Sequence, residues 1–317
     1  MLQVKPRKDI SAGIDVLGLG AVAVDDLFFL NEFPQPDSKV RVVSSERQAG
    51  GLTGTALVAA ARLGRSAAYA GTLGEDDLSR FITNGLESEG IRTEWVVRRA
   101  GARPYRSAII VDMKTKSRTI LSCADGVVGA DDTLPEESLI LSSRVLFVDH
   151  SGLRGMLRAA RIARSAGIAV VGDFEHRHPA PFDELFALTD HLVLPIEFAR
   201  LLTGAGDGRR AAEALWDETR AAVVVTMGAE GCWYVSAEHP GDARHQPAFR
   251  VEVVDTTGCG DVFHGAYAAC LSRGLGIGDR VRVASAAAAI KATRPGGQKG
   301  IPSAAEVDEF LNRPILS

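Results

Sequence analysis

Between Val145 and Thr226 the sequence alternates short apolar runs with longer amphipathic stretches. The runs 145–148, 169–171, 191–194 and 222–226 are short and rich in Val and Leu, as buried strands are. Helical patterns fill 153–166, 182–188 and 197–202, the last closed by Gly204. A chain with this rhythm is confined to an α/β architecture, because each parallel crossover carries a helix onto one face of the sheet. Ligands of such sheets gather at the carboxyl ends of the strands. Asp173, Glu197 and Thr226 all fall at such ends.

A second stretch carries chemistry. Val251, Val253 and Val254 read as a strand end that runs into Asp255-Thr256-Thr257-Gly258-Cys259-Gly260-Asp261, and a helix is expected over 261–272 with Gly274 to stop it. The turn is nearly bare of side chains. The backbone N–H groups of Gly258, Cys259 and Gly260 are therefore free to face an anion at a helix N-terminus. Asp261 beside such a site would repel a resting phosphate, which makes sense if it accepts a proton from an attacking hydroxyl. The helix terminus is expected to keep Asp261 ionised at neutral pH. Glycines placed only for a tight connection explain a lone G-x-G, but not one bracketed by two acids and two threonines.

Near the N-terminus, Gly18, Gly20 and Ala23 fit the dinucleotide pattern G-x-G-x-x-A. That pattern needs a helix next, and residues 24–30 are β-rich instead, so dinucleotide binding is rejected. Asp25 and Asp26 are candidates for hydroxyl recognition, or else solvated acids. Residues 39–47 alternate and are expected to form exposed strands of a small separate sheet. The doublet Gly50-Gly51 permits close backbone approach to a substrate before a helix over 56–63, closed by Gly64. A strand over 67–73, a helix over 78–89, and a hairpin of 106–111 with 118–121 follow. His176 and His178, two apart in a loop, are a weak metal signal without further ligands. Asp173 or Glu175 near a phosphate-bound Mg²⁺ is the better use of that strand end.

The stretch 255–261 resembles the D-T-x-G-A-G-D signature of the ribokinase-like (PfkB) carbohydrate kinases, with Cys259 in the place of Ala and its thiol near the phosphates. Residues 50–64 resemble the same family's G-G-x-x-x-N motif and the helix after it, with Thr55 in the place of Asn. Residues 71–79 are similar to its G-x-x-G-x-D-x-x-G turn, Leu194 to Glu197 to its N-x-x-E (without the Asn), and Thr226 to Gly231 to its T-x-G-x-x-G turn. The resemblance spans about 14–302 and implies a three-layer αβα fold, a mostly parallel central sheet and a small β-sheet lid. It implies one kinase domain over 13–317 after a flexible tail over 1–12, with lid strands within 24–48 and 104–122. It also implies ATP and Mg²⁺ as cofactors, K⁺ as an additional ion, and a homodimer through the lid.

Carried over residue by residue, Asp261 is the base and Gly258, Cys259 and Gly260 are the anion turn. Asp25, Gly50, Gly51 and Thr55 meet the sugar. Thr226, Gly228, Gly231, Thr257 and Lys291 border the nucleotide. Glu197 holds Mg²⁺ through water, with Asp173 as a further ligand, and Asp255 and Thr257 face a monovalent cation. Residues 33–41 look like the ketohexokinase branch, while 245–249 and 293–302 resemble sulfofructose kinases. A ketose is thus the first choice of substrate. Lys39 and Arg41 are candidates for an anionic substituent, against solubilising charge on an exposed strand. A nucleoside kinase and a non-catalytic sugar-binding regulator are the alternatives on the same fold.

Composition narrows the partners. A net charge of −4 without a basic stripe argues against nucleic acid. No apolar run is long enough to span a membrane, and the basic start of the chain lacks the apolar core of a signal peptide. Four cysteines without metal spacing suit a reduced cytoplasm.

Overall fold

A computed structural model describes residues 13–115 and 117–313; the tail expected over 1–12 lies outside the described residues. In chain order the elements begin with β1 (Ile14–Gly18), β2 (Ala23–Leu30), β3 (Ser44–Gly50), α1 (Leu52–Arg62), β4 (Ala67–Tyr69), β5 (Thr72–Leu73) and α2 (Asp77–Ser88). Next come β6 (Val97–Arg98), β7 (Tyr105–Asp112), β8 (Ser117–Cys123), α3 (Glu137–Leu141), β9 (Ser143–Val148) and α4 (Leu153–Ser165). The alternating half continues with β10 (Ala169–Asp173), α5 (Phe182–Leu188), β11 (His191–Pro195), α6 (Ile196–Thr203), α7 (Gly208–Leu215) and β12 (Ala222–Thr226). The chain closes with β13 (Cys232–Ser236), β14 (His239–Gln246), α8 (Cys259–Ser272), α9 (Ile277–Ala292) and α10 (Ala304–Asn312).

The large sheet has the order β14-β13-β12-β11-β10-β9-β1-β4. Its pairings from β12 to β4 are parallel, and the β13–β14 hairpin adds antiparallel strands at one edge. Strand residues alternate between two cores, as a period of two demands. Val16, Val145, Phe147, Val171 and Val224 join Ala- and Val-rich positions of α1, α8 and α9. Leu17, Leu146, Val148, Val170 and Val225 face Met156, Phe182, Phe198 and Ala212 on the opposite side. This is the three-layer αβα arrangement, with the carboxyl ends of β9 to β12 left clear for a site. Among the described residues no helix is long and apolar enough to cross a membrane.

A separate four-stranded sheet has the order β3-β2-β7-β8. The strand expected over 39–47 is present only from Ser44. β2 ends at Leu30 and its register with β3 runs out at Phe29 opposite Ser44; Val43 N still donates to Phe29 O at 2.8 Å, but residues 39–42 form no strand. Asp37, at a positive φ of 57°, redirects the chain there. The expected strand end over 251–254 is likewise absent. Val253 and Val254 are 59 and 60% exposed, and the N–H groups of Val254 and Asp255 both donate to the Ala292 carbonyl at the end of α9. The expected strand over 67–73 is split into β4 and β5, which belong to different sheets. Helix α1 starts at Leu52 rather than 56, and α8 at Cys259 rather than 261, each directly after a glycine with positive φ, Gly51 and Gly258.

Burial also sets a pH dependence of stability. His191 lies fully inside the fold, its Nδ1 3.0 Å from the Tyr267 hydroxyl and beside Arg280. Burial first, then the Arg280 and Arg164 charges, push its pKa down to about 3. The unfolded chain therefore takes up this proton near pH 6.5, the folded chain only near 3. Between those limits this one group should lower stability by ~1.4 kcal/mol for each unit of acidification. Urea midpoints at pH 7 and pH 5 should converge in His191→Gln relative to the parent; equal pH dependence in both proteins would sink this assignment.

Candidate active site

Two glycines shape the floor. A side chain at Gly20 would overlap both Asp149 Oδ2 and Thr53 Oγ1, and one at Gly18 would press on Thr53 and Leu57. The pair therefore serves close packing of β1 on α1, and β2 rather than a helix follows, as the rejection of a dinucleotide turn requires. Asp149 is fully buried at the end of β9, where it accepts from Ala21 N at 2.7 Å, Thr53 Oγ1 at 2.8 Å and Ser151 N at 2.7 Å. It knits the first strand end to α1, and sequence reading had passed it over because its partners lie far away in the chain.

The Gly258 turn sits against α1 and the loop before α10. Gly258 has φ 76°, and the position of a Cβ on it lies 3.5 Å from Thr55 Cγ2, 3.5 Å from Gly297 Cα and 3.8 Å from Asp261 Oδ2. Thr55, Gly258 and Asp261 are thus brought together. The N–H groups of Gly258 and Gly260 have no protein acceptor among the described residues, while that of Cys259 donates to Thr256 O at 3.2 Å. The Cys259 thiol does not face the anion turn as expected. It lies 3.6 Å from Ala288 O, and burial pushes its pKa up to about 11. The turn packs α8 tightly on α9, and the space behind it takes the small sulfur.

Asp261 is the third residue of α8. The helix terminus is not the only influence on its charge. Burial, Asp173 and the more distant Glu175 and Asp149 carboxylates push it well above the ordinary carboxylate range, against a partial offset from His264. Asp173, buried at the end of β10, is raised for the same reasons, and its Oδ2 has no hydrogen-bond partner. That oxygen lies 3.5 Å from His264 Nδ1. His264 Nδ1 is also 2.8 Å from Gly260 O, and its Nε2 is 3.0 Å from Val193 O. A neutral ring can donate to only one of those carbonyls.

On the small sheet Asp25 is half-buried, raised chiefly by burial and hydrogen-bonded to Ser107. A Cβ at Gly50 would come within 2.5 Å of Asp25 Oδ2, so only glycine leaves that carboxylate room. Asp26 instead pairs with Arg47 in solvent at 2.6 Å. Gly51, at φ 88°, caps α1 where any side chain would strike the Val22 backbone. Gln48 Oε1 accepts from Gly297 N at 3.2 Å, and Gln298 reaches Thr55 Oγ1 at 3.4 Å, so the Asp25 and Asp261 halves meet through the 294–298 loop. Lys39 and Arg41 stay exposed in the connection before β3, with no hydrogen bond or ion pair to the site.

Two further features bear on anions and cations. Lys291 is fully buried, and its Nζ donates to Asp255 O at 2.8 Å. Asp255 Oδ1 accepts from Thr257 N and Oδ2 from Gly296 N, each at 2.8 Å. The Asp255 carboxylate expected to face a monovalent cation thus already accepts two backbone hydrogen bonds, and the Lys291 ammonium stands 3.8 Å from its Oδ2. Lys291 itself is a wall behind the turn rather than an open nucleotide contact. Arg118, on β8, is exposed, and its charge bears weakly on Lys291 and Cys259 behind the turn. Sequence reading did not single it out, since its strand looked merely solvated.

A cleft of about 480 Å³ opens at the ends of β11 and β12, lined by Glu197, Arg200, Thr226, Met227, Gly228 and Trp233 among others. Thr226 Oγ1 donates to Leu194 O at 3.3 Å. Gly231 lies outside this wall. Its φ of 89° and the nearby Pro247 and Ala248 backbone make it a requirement of the tight turn into β13. Glu197 projects from the first turn of α6, exposed to solvent.

A helix terminus with free N–H groups, an adjacent carboxylate and a polar cleft at the strand ends define a site suited to phosphoryl transfer. The family comparison agrees: residues 15–304 match the pfkB family of carbohydrate kinases, and the chain belongs to that family. It is 30% identical over 310 residues to the ribokinase of Haemophilus influenzae, covering 92% of this chain and 97% of that protein. It is 26% identical over 311 residues to the deoxyribokinase of Salmonella typhi, with 94 and 99% covered. The crystal structure of ribokinase from Thermotoga maritima superposes with a TM-score of 0.80 at 26% identity, over 95% of this chain and all of that one.

Proposed function

We propose that the chain transfers the γ-phosphoryl group of Mg·ATP to a primary hydroxyl of a small sugar, a ketose or ketose derivative foremost. One observation carries this reading. Asp261 stands at the start of α8, beside the free N–H groups of Gly258 and Gly260 and across from Thr55. A bond forms between the acceptor oxygen and the γ-phosphorus as the bond to the β,γ-bridging oxygen breaks, and the hydroxyl proton passes to the Asp261 carboxylate. Gly258 and Gly260, joined by Cys259 N–H once it leaves Thr256 O, hold the charge on the transferring group.

Asp25, Gly50, Gly51 and Thr55 hold the sugar, and Thr226 and Gly228 border the nucleotide. Asp173, whose buried Oδ2 lacks a partner, fits a Mg²⁺ site, with Glu197 joining through water. Bound there, Mg²⁺ would spread the negative charge of the phosphates. Beside Asp255 the Lys291 ammonium supplies the positive charge that a second, monovalent cation would bring. The four-stranded sheet is the lid of one catalytic unit over 13–317. Its outer strand β8 is exposed throughout, with Ile120 and Leu121 bare, and this is the surface offered to a second copy of the chain. A reducing compartment such as the cytoplasm is the proposed setting, in keeping with four cysteines that form no disulfide among the described residues.

A panel of acceptors tests the reading: fructose, tagatose, sulfofructose, ribose, deoxyribose and adenosine, with ADP release followed under Mg·ATP. The highest kcat/KM is expected on a ketose. Preference for ribose or deoxyribose would keep the kinase and overturn the ketose; preference for adenosine would move the chain to the nucleoside kinases.

A further inference from the structure

Outside the phosphoryl-transfer groups, three histidines meet at the carboxyl ends of β9 and β10. His150 follows β9, and His176 and His178 lie in the loop between β10 and α5. The rings of His150 and His178 stack with centroids 4.5 Å apart and planes 16° apart. His176 stands 5.1 Å from the first and 5.0 Å from the second. One ring nitrogen from each lies within 4.8 Å of the others. His150 Nδ1 and His178 Nε2 are buried and have no hydrogen-bond partner.

A buried imidazole nitrogen without a partner costs free energy, and two of the three clustered rings carry one with no protein group to relieve it. We infer that His150, His176 and His178 form a binding site for a d-block divalent cation of the Zn²⁺ class. An ion centred among three nitrogens at that limiting spacing would sit about 2.8 Å from each; because the lone pairs lie in the ring planes, the stacked His150 and His178 rings would turn out of parallel to reach the ~2.1 Å of a zinc–imidazole bond. Three nitrogen ligands leave the fourth position of a tetrahedral ion open to water. An all-imidazole set suits Zn²⁺, Ni²⁺ or Cu²⁺ and disfavours Mg²⁺, which takes oxygen ligands. The site is therefore distinct in chemistry from the acidic one at Asp173. The ion would tie the loop that follows Asp149 to the loop that follows Asp173, two buried carboxylates at neighbouring strand ends.

The test is calorimetric titration of ZnCl₂ into the full chain, stripped with a chelator and carrying Cys123→Ser to remove the exposed thiol. One equivalent should bind, millimolar Mg²⁺ should not compete, and Co²⁺ in place of Zn²⁺ should give a visible tetrahedral spectrum without thiolate charge transfer. His178→Phe keeps an aromatic ring against His150 and Phe182 but removes a nitrogen; it and His176→Ala should each weaken binding by at least about tenfold. Absence of stoichiometric binding, or affinity unchanged in both folded variants, would show a stack of neutral imidazoles only. Because the readout is binding and not turnover, this outcome is independent of the kinase reading.

Discussion

Asp261→Asn should lower kcat by ~10²- to 10⁴-fold and leave nucleotide affinity nearly unchanged, the range expected when a positioned base is lost. The substitution keeps the shape of the side chain at the start of α8 and removes its capacity to take a proton. It also removes one member of a crowded set of carboxylates, so the variant should fold at least as stably as the parent. The pH profile carries a second signature. Burial and Asp173 raise the Asp261 pKa, so below that raised value the base is protonated and inactive. The acid limb of kcat/KM should accordingly lie above the pH at which an ordinary aspartate titrates. Near-parental turnover by a folded Asp261→Asn protein would remove the base from the mechanism.

Gly265→Ala is expected to be strongly destabilising. A Cβ at Gly265 would overlap the Ala56 carbonyl oxygen and lie 2.8 Å from Ala56 Cα. These are backbone atoms of α1, which cannot swing aside as a side chain would. Helices α1 and α8 would have to separate, at a cost of roughly 2–4 kcal/mol, less the gain in helix propensity. For a chain of this size that corresponds to a fall in Tm of roughly 5–10 °C. Since α1 carries Thr55 and α8 carries Asp261, turnover should fall as well. Gly278→Ala in α9 is the control, since its nearest neighbour is Tyr234 Oη at 3.9 Å. Equal Tm values for the two variants would show that the α1–α8 approach is less constrained than it looks.

Both helices were legible in the chain, and the reason for their closeness was not. The strands of the alternating half could be read almost to the residue because runs such as 222–226 are buried on both faces and need no knowledge of their neighbours. Residues 39–42 alternate just as well, yet pairing is decided by the partner, and β2 stops short of them. The 251–254 segment failed for the same reason. The anion turn, Asp25 and the Gly50-Gly51 doublet carry local signatures. Asp149, Gln298 and Arg118 do not, because each acts on a segment remote in sequence. His176 and His178 looked weak until the fold brought His150 to them. The upward push on the Asp261 pKa was not legible either: a helix terminus is a small favourable effect, and burial beside Asp173, remote in sequence, acts against it.

The most direct test of the kinase assignment is ³¹P NMR of the protein with Mg·ATP and a single acceptor sugar. The account predicts that the γ-phosphate resonance gives way, one for one, to a phosphomonoester resonance coupled to carbinol protons, as a triplet if a primary hydroxyl has been phosphorylated. ATP that stays intact with every acceptor, or is lost only to inorganic phosphate, would contradict it.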